Sequence, residues 1–112
     1  MSGRLTTHAL DLVGGCGAQG MTVRVRRLPD TELGEVELDA GGRGVLAAGD
    51  RFQAGVYELL FLVGDYHRRR GLVRAEAFLD EVPIRFRVSD SAADCHVPLL
   101  VSLYGFSSYR GV

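Results

Sequence analysis

Two histidines in alternating stretches, an arginine in a glycine-rich loop and a Tyr-Arg pair near the end are what this 112-residue chain offers for chemistry. His8 lies in Leu5-Thr6-Thr7-His8-Ala9-Leu10-Asp11-Leu12, where Thr6 and Leu10 share its face. His96 begins the run His96-Val97-Pro98-Leu99-Leu100-Val101-Ser102 and shares a face with Pro98 and Leu100. Arg43 comes from the loop Asp39-Ala40-Gly41-Gly42-Arg43-Gly44, and Tyr109-Arg110 follows the turn Leu103-Tyr104-Gly105. Histidine titrates near neutral pH and relays protons, while arginine is a planar donor for carbonyl or carboxylate oxygens. Two strand histidines and a loop arginine therefore suit an acid–base and anion-stabilising set. The plainer reading is a pair of structural histidines and a surface Tyr-Arg. Nothing suggests a metal: there is no HxH, no HxxxH and no third ligand nearby. No Ser-His-Asp order or nucleophile elbow is present, and no helix opens behind Gly41-Gly42-Arg43-Gly44 to make a phosphate cradle. His67, among Arg68, Arg69 and Arg70, reads as solvated surface.

Such a set needs strands to hold it, and the dominant period is two. Val82, Ile84, Phe86 and Val88 alternate with Arg85 and Arg87; Thr22–Arg26 and Glu35–Leu38 repeat the pattern. These read as half-buried antiparallel strands. Val56–Val63 is apolar on nearly both faces and reads as a central strand, its second cover supplied by another subunit. Glycine clusters, Pro29-Asp30 and Gly105 mark turns. Asp65–Arg70, closed by Gly71, reads as the one short helix, with Asp65 as N-cap. Seven or eight short strands in about 110 residues predict a β-sandwich. Residues placed so close to a chain end are normally frayed, so the furnished C-terminal hairpin asks for something to hold it.

Composition bounds the rest. With 46% apolar and 24% charged residues the chain suits one globular domain spanning 1–112. A net charge of −1 gives no electrostatic case for nucleic acid or membrane. All thirteen basic residues are arginine, which fits a genomic base-composition effect. Cys16 and Cys95 lack CxxC spacing and read as reduced thiols. No leader or membrane-length apolar run is present, so a cytoplasmic location is expected.

Several blocks resemble one family. Leu5-Thr6-Thr7-His8-Ala9-Leu10-Asp11 is similar to the LSTHVLD motif of 5-hydroxyisourate hydrolases, the transthyretin-related enzymes of urate breakdown. Asp39–Arg43 resembles their NADGR segment, and Gln53–Leu59 and Gly64-Asp65-Tyr66 their AGxYEL and GDYF blocks. Phe78–Phe86 resembles FLDVVPIRF, His96–Ser102 resembles HVPLLLS, and Tyr109-Arg110-Gly111 the start of YRGS. The blocks run in family order over nearly the whole chain.

The resemblance implies an all-β, transthyretin-like sandwich of two four-stranded antiparallel sheets with one short helix after the fifth strand. It implies a homotetramer with sites at the subunit interface and no metal or organic cofactor. The implied reaction opens the ring of 5-hydroxyisourate with water at an acyl C–N bond, giving 2-oxo-4-hydroxy-4-carboxy-5-ureidoimidazoline. His8, Arg43 and His96 would be catalytic, with Tyr109 and Arg110 at the wall of the site; which histidine is the base stays open. Two positions depart from the pattern. Cys95 replaces a larger residue and should face away from His96, and Val112 stands in place of the final serine. A diverged hydrolase for a related cyclic ureide or lactam, and a non-catalytic small-ligand carrier, are the rival readings. Against the carrier stand the histidines and the Tyr-Arg-Gly ending.

Overall fold

The computed structural model describes residues 3–111. Nine strands run in chain order: β1 (Arg4–Asp11), β2 (Cys16–Gly17), β3 (Thr22–Arg27), β4 (Thr31–Glu37), β5 (Arg43–Ala48), β6 (Gly55–Phe61), β7 (Val82–Val88), β8 (Cys95–Val101) and β9 (Phe106–Ser108). Among these residues one α-helix, α1 (Val63–Arg69), follows β6, and a single 3-10 turn spans Gly49–Arg51. One sheet has the order β4-β3-β6-β7. In the other, β9, β8 and β1 lie side by side, and β2 and β5 share the far edge of β1. That sheet is therefore four strands wide, as expected, with β2 the extra short piece.

Alternation builds the core. Leu5, Ala9, Val23, Val25, Tyr57, Leu59, Phe61, Leu99 and Val101 all point between the sheets, and none is more than 1% exposed. Each fully buried side chain of this size contributes roughly 1.5–3 kcal/mol. The intervening residues of β1, Thr6, His8 and Leu10, face outward and are only partly covered. One sheet face is thus committed to packing and the opposite face is free for chemistry.

Three expectations need correction. The β1–β8 pair is parallel, with Thr6 opposite His96 and His8 opposite Pro98. The whole second sheet intervenes in sequence between these two strands, so no hairpin constrains their direction. The apolar run at Val56 ends as a strand at Phe61, and Val63 already begins α1. Its outer face is half-buried rather than apolar throughout, because Glu58 there takes Arg26 at 2.9 Å and Arg85 at 3.0 Å. Asp65 does not cap α1; Leu62 occupies that position without a side-chain bond. Asp65 lies instead in the first turn and pairs with Arg68 at 2.6 Å, still on the dipole's favourable side.

His67 is the fourth correction. It is 1% exposed, not solvated. Helical period places it four residues after buried Val63 and beside buried Tyr66, on the stripe that faces the sheet. The Tyr66 hydroxyl donates to Asp11 Oδ2 at 2.7 Å and ties the helix to β1. Burial pushes the Asp11 carboxyl up, but the Gly14 amide, the Tyr66 hydroxyl and the Val13 amide outweigh it, so Asp11 is held below its ordinary value.

Candidate active site

The outer face of the β1 sheet gathers three of the residues singled out by the sequence. His8 and Arg43 are direct cross-strand partners on β1 and β5, which puts their side chains ~5 Å apart at the β-carbons. His96 lies opposite Thr6, one alternation step, ~7 Å, along β1 from His8. All three sit on the face that carries no core side chains.

Arg43 is placed by a loop rather than by its strand. The Asp39 Oδ1 accepts the amides of Gly41 and Arg43, each at 2.9 Å. The Arg43 amide foremost, and the Gly41 amide with it, hold the Asp39 carboxyl below its usual range. Gly42 has φ +78°, and a β-carbon there would stand 2.4 Å from the Ala9 carbonyl. Only glycine can take that conformation so close to β1. The Gly42 carbonyl accepts the Ala9 amide at 2.8 Å, which closes the loop against β1.

The same loop fixes His8. Its Nε2 lies 2.9 Å from the Gly41 carbonyl. A carbonyl only accepts, so Nε2–H donates and the lone pair of the neutral ring is on Nδ1. On His96 the order differs: Nδ1 meets the Thr6 hydroxyl at 2.8 Å. Burial first, then the electrostatic influence of His8 and Arg43, hold His96 below its ordinary value. Sequence reasoning saw Thr6 only as a face-mate of His8. Its pairing with His96 needed the parallel register.

The β8–β9 register, carried on by the His96–Gly111 bridge, sets Tyr109 opposite Pro98 and Arg110 opposite Val97. Tyr109 and Arg110 line a cavity of about 440 Å³ at the open edge between β7 and β9, with Ile84, Phe86, Cys95 and Val97. Cys95 does face away from His96, as alternation predicts; burial pushes its thiol up, and Arg110 works against that. The chain end reaches His96 through its backbone. The Gly111 amide donates to the His96 carbonyl at 2.8 Å, which is what holds the C-terminal hairpin in order. No histidine lines this cavity. The titratable set, not the hollow, marks the candidate site. Val112 lies outside the described residues. No group of three or more His, Cys, Asp or Glu among the described residues is placed to hold a metal.

The strand order and the polar outer face define a transthyretin-like sandwich. Residues 5–111 match the model of the HIUase/Transthyretin family. The chain belongs to this family. A 5-hydroxyisourate hydrolase of Mesorhizobium japonicum is 50% identical over 97% of this chain and 92% of its own length. The structure of Klebsiella pneumoniae 5-hydroxyisourate hydrolase superposes with a TM-score of 0.83 at 32% identity, covering 98% of this chain and 99% of that one. An (S)-allantoin synthase superposes with a TM-score of 0.91 at 37% identity and covers 99% of this chain. This chain spans only 44% of that structure's length.

Proposed function

We propose that this protein is a hydrolase of purine catabolism that opens 5-hydroxyisourate with water. The observation that carries the reading is the gathering of His8, Arg43 and His96 on one free sheet face, in a chain half identical to a hydrolase of that name. The carrier reading leaves this polar face without a task.

The roles follow from the protons. His8 has its Nδ1 lone pair free and takes a proton from the attacking water, an assistance of roughly 10²–10⁴-fold. Arg43, beside it, stabilises the negative charge that grows on the attacked carbonyl oxygen. The His8 imidazolium so formed passes that proton to the ring nitrogen as the acyl C–N bond breaks, while neutral His96 holds the substrate with a hydrogen bond from Nε2–H. The products then balance: one water is added, one C–N bond is lost, and no redox partner is needed. Tyr109 and Arg110 would contact substrate from the wall of the site. The working unit is a homotetramer with sites between chains. Exposed apolar Val45 on the His8 face and Phe106 and Tyr109 along the β9 edge support that assembly.

The test generates 5-hydroxyisourate in place from urate and follows its ultraviolet decay. The protein should accelerate that decay, and a rate equal to the spontaneous one would sink the reading. His96→Ala and Arg43→Ala should each lower turnover about 100-fold or more with the assembly intact. Val112→Ser, measured beside them, tells whether the terminal hydroxyl matters to rate or substrate choice.

A further inference from the structure

We infer that Thr6 is a positioning residue, its hydroxyl donating to His96 Nδ1 so that the proton of the neutral imidazole rests on Nε2. Thr6 Oγ1 and Nδ1 are 2.8 Å apart on directly paired residues of β1 and β8. Among the described residues the Thr6 hydroxyl has no other partner. A neutral imidazole has one donor and one acceptor nitrogen. Were Nδ1 the donor, the hydroxyl proton would be left without a protein acceptor. With Nδ1 accepting, both groups are satisfied by one bond.

The other edge of the ring is fixed independently. A β-carbon on Gly111 would stand 2.7 Å from His96 Cδ2 and 3.3 Å from Cγ. The Gly111 backbone therefore closes the Cδ2 side while Thr6 holds the Nδ1 side. The edge left free of both carries Nε2. A ring flip would set a C–H against the Thr6 hydroxyl and lose the bond. His8 has the opposite arrangement, Nε2–H on the Gly41 carbonyl and Nδ1 free. The two histidines so present one lone pair and one proton, the pair of groups that a hydrolysis needs. The kinetic part of this inference rests on the proposed hydrolase activity; the tautomer does not.

The experiment records long-range histidine ¹⁵N spectra across a pH titration for wild type, Thr6→Val, Thr6→Ala and Thr6→Ser. Wild type and Thr6→Ser should show His96 protonated at Nε2 alone. In Thr6→Val and Thr6→Ala the two tautomers should mix and the His96 midpoint should move upward, because a donor that favours the neutral ring has gone. Turnover in both hydroxyl-free variants should fall about tenfold, the size of one ordinary hydrogen bond, with KM nearly unchanged and Thr6→Ser restoring the rate. A wild-type His96 tautomer and midpoint in whichever hydroxyl-free variant folds overturns the assignment. A protein with the predicted tautomer but no activity on 5-hydroxyisourate refutes the function and leaves the positioning role standing.

Discussion

At the scale of single residues, placement rests on small groups that have no chemistry of their own. Asp39 and Gly42 aim Arg43, Gly41 orients His8, and Thr6 and Gly111 hold His96. The Gly111 contact can be tested by adding one methyl group. Gly111→Ala would press on the His96 ring at 2.7 Å, and the ring must move. Misplacement of a reacting group by about 1 Å costs roughly 100-fold. Turnover should fall by that order while the melting temperature stays within a few degrees, since the residue lies outside the buried core. A wild-type rate in steady-state assays of Gly111→Ala would remove Gly111 from the account. The residue types of the proposed site were legible in the sequence because histidine and arginine are distinctive. The residues that position them are threonine and glycine, which occur everywhere, and only their neighbours reveal the role.

At the scale of elements, strands were legible and the helix less so. Alternation marks β7 without ambiguity, since one face is wholly apolar, and β3 through Val23 and Val25. In α1 three arginines after His67 suggest an exposed helix, yet His67 itself is on the inward stripe and its Nε2 has no hydrogen-bond partner among the described residues. Burial holds His67 below the ordinary 6.5, the charge of nearby Asp11 opposing this and that of Arg70 reinforcing it. The unfolded chain therefore binds a proton below about pH 6.5 that the folded chain refuses until lower pH. Stability contributed by neutral His67 is present above 6.5 and is lost as pH falls through that value towards the folded one. His67→Phe should abolish this loss. At pH 8 it should also raise the melting temperature by roughly 4–15 °C, because an orphaned polar atom costs about 1–3 kcal/mol. The Asp11 carboxyl, held low, contributes stability above its ordinary range and loses it only under more acidic conditions. The variant should keep that later transition. Thermal melts at pH 8 and pH 5 check both points; an equal pH 5 loss in the variant and wild type would show that His67 is not the sensor.

At the scale of the whole molecule, the free sheet face holds both the polar set and exposed Val45, which pairs with Thr6 across β1 and β5. If that face is where chains meet, a charge on it must disrupt assembly and activity together. Val45→Asp is expected to shift the protein from tetramer to smaller species in sedimentation velocity runs and to lower turnover in the same preparation. A fully active Val45→Asp tetramer would place the interface elsewhere. The variant should fold normally, because Val45 is 45% exposed and outside the core.

By itself the sequence determined the two-sheet sandwich, its inward faces and the three residues that carry charge or protons, because side-chain period and residue chemistry are local properties. Tertiary structure decided which of those residues meet. The parallel register of β1 and β8, set between segments 90 residues apart, brings Thr6 to His96, and the loop crossing over β1 brings Gly41 to His8. It also brought Tyr109 and Arg110 to the cavity by β7 and turned His67 inward. Those outcomes depend on contacts between distant segments, and no local pattern encodes them.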